Sequence, residues 1–160
     1  MTDLTKLNLV SASEVANFFI RAGNYKYTNL KIQKLVYLAH LLYLSETCLP
    51  LVREDFEAWM YGAVVPKLYR QLIPYGAGCI SEQIEQKGCE LTQNQECFLS
   101  NINKVFGKAT SAKLVEITHS KSGAWAQVYQ YNNRQIIPPE LINAEALAIR
   151  NSEHTYIKRA

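Results

Sequence analysis

Residues 28–44 read TNLKIQKLVYLAHLLYL. Leu30, Ile32, Leu35, Val36, Ala39, Leu42 and Tyr43 fall on one face at helical spacing. Tyr37, Leu38, Leu41 and Leu44 make much of the opposite face apolar as well. A helix that is apolar on nearly every side lies at the centre of its fold. Thr28 is placed to cap its start, and Leu49-Pro50 ends the element, so the helix is expected over about 28–47. Lys31, Gln33, Lys34 and His40 are expected to form its solvent-facing strip. Burying one of its leucines is worth roughly 1.5–3 kcal/mol. Leu35→Ala or Leu42→Ala is therefore expected to cost about 2–5 kcal/mol.

Other elements gather around this one. Ser11-Ala12-Ser13-Glu14 has the pattern of a capping box, followed by Val15, Phe18 and Phe19 at helical spacing, with Gly23 and Asn24 as the stop. Thr92-Gln93-Asn94-Gln95 repeats the pattern and opens a helix to about Phe106, with Phe98, Ile102, Val105 and Phe106 on one face. Residues 111–119 read as a helix carrying Leu114, Val115 and Ile117. Ser122 is placed to cap a short helix at 125–129. Pro138 and Pro139 stand where a last helix begins, running to about Asn151 with Leu141, Leu147 and Ile149. The reading is mostly α: a compact helical bundle around a central buried helix, with at most a short irregular β-hairpin.

The hairpin is expected from residues 56–76, FEAWMYGAVVPKLYRQLIPYG. Phe56, Ala58 and Met60 alternate with Glu57, Trp59 and Tyr61, which suits an extended piece with the first set inward. Gly62 offers the positive φ that a turn needs. The Val65-Pro66 bond disfavours helix at Val65, and Pro66 suits a first helical position, so 66–73 reads as a short helix with Leu68, Leu72 and Tyr69 inward. Residues 77–91 read as a loop or irregular hairpin.

Composition narrows the class. The chain has 160 residues, 48% hydrophobic and 19% charged, with 17 basic and 14 acidic residues. That length suits one domain, 1–160, with a core at about 10–150 and a short C-terminal tail. The net charge of +3 is too mild for a nucleic-acid stripe. Tyr25-Lys26-Tyr27 with Lys31 and Lys34 is only a weak version of the aromatic–basic pattern that stacks on bases. The first ten residues lack a signal-peptide pattern, and the apolar run 30–44 is shorter than the roughly 20 residues of a membrane span. A cytoplasmic protein is expected. Cys48, Cys79, Cys89 and Cys97 show no CxxC pair and are read as reduced thiols. A zinc site from Cys79, Cys89, Cys97 and His119 is the competing arrangement.

No nucleophile elbow, HExxH or phosphate loop is present, so no enzyme, cofactor or metal is expected. His119, close to Ser120 and Ser122, instead closes its helix, where a cation is favoured by roughly 0.3–1 kcal/mol. Trp59 and Trp125 carry more information. Tryptophan and tyrosine are common core residues, and they are also the side chains that anchor protein interfaces.

Three ordered blocks carry a family resemblance. Residues 28–40, TNLKIQKLVYLAH, resemble the hallmark helix of the Panacea, or SocA-like, domain, which reads NLKLQKLLYYAQ. Residues 56–69, FEAWMYGAVVPKLY, resemble its next block, EAWKYGPVVPELY. Residues 114–119, LVEITH, with Trp125 resemble LVELTH…W. The blocks span about residues 10–150. Ala63 stands where the family has proline, which leaves φ there unfixed. The resemblance implies an antitoxin that binds and neutralises a cognate bacterial toxin by direct contact. It also implies two alternatives: an adaptor that delivers the toxin to the ClpXP protease, or a prophage-encoded protein acting through another host protein or nucleic acid. No catalytic residue or cofactor comes with it. The candidate partner surface is Glu57, Trp59, Tyr61 and Gly62, with His119 and Trp125 as a second block; packing of the two blocks on each other is the alternative.

Overall fold

A computed structural model describes residues 8–86, 88 and 90–152. Helix α1 spans Ala12–Ala22 and α2 spans Asn29–Thr47. A two-stranded hairpin follows, β1 (Glu57–Trp59) and β2 (Gly62–Val64), and leads into α3 (Pro66–Leu72) and a 3-10 turn at Ile73–Tyr75. Helices α4 (Gln93–Phe106), α5 (Ser111–Thr118), α6 (Ala124–Val128) and α7 (Pro139–Asn151) complete the described elements. The fold is mostly α, as the sequence predicts.

Helix α2 is the axis. It packs against α1, α3, α4, α5, α7 and β2. Ile32, Leu35, Val36, Tyr37, Leu38, Ala39 and Leu41 are all fully buried. The threonine cap forms as expected, with Thr28 Oγ1 accepting from the Lys31 amide at 3.3 Å. The helix stops because Cys48 turns left-handed at φ +61.

The expected polar strip of α2 does not face solvent. Gln33, Lys34 and His40 are 2%, 0% and 7% exposed, and each has a distant backbone partner. His40 Nδ1 accepts from the Val52 amide at 3.1 Å. Gln33 Oε1 accepts from the Val65 amide at 3.2 Å, and Lys34 Nζ donates to the Ala63 carbonyl at 2.9 Å. Buried backbone groups must be paired, and these side chains pair segments that leave the helix bundle. Lys31 remains half-buried, its ammonium donating to the Gly107 and Ala109 carbonyls past the end of α4 at 2.6 and 2.8 Å.

Four other expectations change in detail. Ser11 Oγ accepts from the Glu14 amide at 3.1 Å, but Glu14 Oε1 accepts from the Glu90 amide at 3.3 Å rather than reaching back to close the box. The reciprocal box does form at Thr92 and Gln95, and α4 buries Gln95 and Leu99 alongside Ile102 and Phe106, with Phe98 and Val105 at the margin. In α7 the inward face is Ile142, Glu145, Ala146 and Ile149; Leu147 points out at 57% exposure. Gly123, not Ser122, is the N-cap of α6.

A candidate partner-binding surface

The hairpin is built around one turn. Phe56 and Ala58 point into the core, as the alternation predicts. Met60 does not, because the strand ends at Trp59 and Met60-Tyr61 form the two-residue loop. Neither loop residue has positive φ; Gly62, at φ +119, takes up the reversal. Glycine is required there twice over, since a Cβ would also collide with Lys34 Nζ and stand 3.3 Å from His119 Nε2.

Both outer edges of this small sheet are closed by the chain itself. The Ala58 amide donates to the Gln135 carbonyl and the Ile137 amide to the Phe56 carbonyl, each at 2.8 Å, so residues 135–137 cover β1. On the far side Lys34 and Gln33 take the Ala63 carbonyl and the Val65 amide. The hairpin therefore presents its turn and side chains, not a free ladder.

Trp59 is half-buried and held from three directions. Its indole Nε1 donates to Glu57 Oε2 at 2.8 Å. Its ring meets Tyr69 edge-on at 4.8 Å, and the Arg134 guanidinium lies 3.8 Å from the ring centre. The second block locks onto the first: Trp125 Nε1 donates to the Trp59 carbonyl at 2.7 Å. Trp125 lies between His119, stacked at 3.6 Å and 6°, and Tyr129, stacked at 4.7 Å and 16°. Helix α6 is itself fixed by Glu145, whose Oε2 accepts from the Ala124 amide at 3.0 Å and from the Tyr37 hydroxyl at 3.2 Å. A carboxylate at a helix start is favoured by the positive end of the peptide dipoles.

His119 and Lys34 set the electrostatics beneath the turn. Burial pushes Lys34 down to about 7. Burial first, and the nearby Lys34 ammonium second, hold His119 below its ordinary value, with the Tyr61 backbone opposing them. His119 does cap α5, but as a ring favoured in its neutral form rather than as the cation expected at a helix end. Its buried Nε2 has no hydrogen-bond partner. Of the two poorly solvated nitrogens below Gly62, Lys34 Nζ ties the turn to the core through the Ala63 carbonyl.

All six residues named from the sequence thus come together, in unequal roles. Gly62 is buried, Glu57, Trp59, His119 and Trp125 are half-buried, and Tyr61 is 61% exposed. The two blocks do pack on each other, yet the tip they support stays open. Met60 (48% exposed), Tyr69, Tyr129 and Arg134 also belong to this region and were not singled out from sequence. Arg134 comes from a stretch with no periodic pattern, so only its contact with Trp59 reveals it. Of the competing zinc set, Cys89 lies outside the described residues. Among those described, no group of three or more metal-binding side chains gathers, and Cys48, Cys79 and Cys97 are exposed. No described helix is long and apolar enough to cross a membrane.

Comparison with known proteins agrees with the blocks read from the sequence. The family model described as "Antitoxin SocA-like, Panacea domain" matches residues 32–126, which include all of α2 but its first three residues, the hairpin, His119 and Trp125. The chain is 30% identical over 129 residues to "Antitoxin SocA" of Caulobacter vibrioides, covering 72% of this chain and 69% of that protein. No solved structure matches. The chain belongs to the SocA-like antitoxin family of Panacea-domain proteins.

Proposed function

We propose that this protein neutralises a protein toxin by direct contact, and that the contact is centred on the Met60-Tyr61 tip. Glu57, Trp59 and Trp125 form the surrounding face, and Gly62 and His119 hold it from below. The observation that carries this reading is the contrast in exposure. Tyr61 and Met60 are 61% and 48% exposed, while Trp59, Tyr69, His119 and Trp125 around the tip are each held by a hydrogen bond or a ring contact. A pre-ordered aromatic tip loses little conformational freedom on binding, which favours affinity, and tyrosine and tryptophan dominate binding hot spots. No chemical step is involved.

The test uses the product of the reading frame adjacent to this gene. Growth arrest caused by that product alone should be relieved by co-expression of this protein, and the two should co-purify at equal stoichiometry. Arrest that persists despite comparable expression would count against the reading. The adaptor alternative, carried by the resemblance to SocA-type proteins, separates cleanly: it requires the toxin's half-life to shorten when this protein is present and to recover in cells lacking ClpXP. Direct neutralisation leaves that half-life unchanged.

A further inference from the structure

The aromatic face borders an open groove of about 730 Å3, within the range of pockets that hold small ligands or short segments. Rings of Trp59, Tyr69 and Tyr129 line it, together with the exposed Met60 and Tyr61. Among the described residues, Arg134 is the one lining residue with a formal charge. It makes no ion pair among the described residues. The carboxylate of Glu57, the acidic residue of β1, accepts from the Trp59 indole.

Two helix starts add to the same sign of potential. Thr28 and Asn29 of α2 and Ser111 of α5 line the groove, and neither helix carries an acidic residue in its first turn. Helix starts bear positive partial charge. A guanidinium held against an indole face by cation–π attraction keeps its N–H donors unspent, and it favours paired contact with a carboxylate. The groove therefore combines apolar rings with a guanidinium that makes no ion pair among the described residues, the Glu57 carboxylate being held by the Trp59 indole instead. It is also continuous with the tip, so a partner covering Tyr61 passes over it.

We propose that the groove takes an extended segment of the protein partner, placing an Asp or Glu carboxylate on Arg134 and an adjacent apolar side chain against the Trp59, Tyr69 and Tyr129 rings. This rests on the toxin-binding reading above and adds the chemistry of the segment recognised.

The probe is a random dodecapeptide display library selected on the immobilised full chain. The enriched peptide is then synthesised, with its acidic residue also replaced by the amide, and titrated by fluorescence anisotropy. Enriched sequences should carry Asp or Glu beside Leu, Ile or Phe. Arg134→Ala should weaken binding about ten-fold or more, as loss of a charge-assisted hydrogen bond does, and Arg134→Glu further still. The amide peptide should be weakened on the parent protein and insensitive to Arg134→Ala. Arg21→Glu, on α1 where the side chain bonds Gln83, should change affinity less than about two-fold, the ordinary scale for a distant surface charge. Enrichment without acidic residues, no enrichment at all, or affinity indifferent to Arg134 would overturn the proposal. A parallel titration with the adjacent gene's product separates the two levels. Binding to Arg134→Glu as tight as to the parent removes the groove proposal and leaves the toxin-binding reading standing. Absence of binding to the parent removes both.

Discussion

Replacing Lys34 with methionine removes a charge from the centre of the fold, and the structure fixes how the effect must vary with pH. Lys34 is fully buried, and its ammonium donates to the Ala63 carbonyl at 2.9 Å. Burial lowers it to about 7, against 10.5 for the ordinary side chain. Below about pH 7 both the folded and unfolded chains hold the proton, and the folded state bears the full cost of the buried charge, on the order of 5 kcal/mol. Between about 7 and 10.5 the unfolded chain keeps the proton and the folded chain releases it. Stability from this group therefore rises with pH across that window, by about 1.4 kcal/mol per pH unit. From pH 6 to pH 9 the gain is about 2–3 kcal/mol. Methionine fills nearly the same space and adapts to irregular gaps, but it leaves the Ala63 carbonyl unpaired, which costs about 1–3 kcal/mol. Urea unfolding of parent and Lys34→Met at pH 6, 7, 8 and 9 measures both effects. The variant should exceed the parent at pH 6, and that advantage should shrink by about 2–3 kcal/mol by pH 9. Parallel pH profiles for the two proteins would refute the reasoning, because they would mean that Lys34 is charged and well solvated in the folded state.

Three further outcomes follow from the same packing. His40 is held at about 4 by burial, so the folded chain resists protonation between about 4 and 6.5. Stability should drop by about 3 kcal/mol as pH falls through that window, and His40→Gln, which can still accept from the Val52 amide, should show a shallower loss in thermal melts. Gly62→Ala combines positive φ with a Cβ that meets Lys34; it should cost at least about 1–3 kcal/mol in urea unfolding, whereas a change below 0.5 kcal/mol by the ordinary surface standard would show a looser turn. Leu35→Ala should lose about 2–5 kcal/mol from the fully buried face of α2, while Leu147→Ala, on the exposed face of α7, should stay within about 0.5 kcal/mol.

How much of this was legible depends on whether a signal is local. The caps at Ser11, Thr28 and Thr92 bond amides three residues away, and each is readable in a four-residue window. The apolar girth of α2 is likewise visible along one helix. Its polar residues were misplaced for the opposite reason. Gln33 and Lys34 serve backbone groups 32 and 29 positions away, and no periodicity encodes a partner that far off. His40 and Val52 are closer in sequence, yet a proline-bearing loop separates them. Met60 faces out because the alternation stops with the strand, one residue before it. In the candidate surface, the six residues read from the family blocks do converge. Sequence could not divide them into an exposed tip and a supporting layer, because Trp125 meets Trp59 through a main-chain carbonyl. Arg134 and Glu145 carry no local signature, because they act through long-range contacts, Arg134 with Trp59 and Glu145 with Ala124 and Tyr37.

The exposed tyrosine gives the most direct test of the central claim, that the hairpin tip contacts the partner and the layer beneath only supports it. Purified product of the adjacent gene is titrated calorimetrically into the parent protein and Tyr61→Ala, and both antitoxin samples are melted in parallel. Because Tyr61 is 61% exposed, the melting temperature should move by no more than about 1–2 °C, the scale of a surface change of 0.5 kcal/mol in a domain of this size. Affinity should fall about 30-fold or more, the loss expected of a hot-spot tyrosine. An unchanged affinity with an unchanged melting temperature would contradict the account.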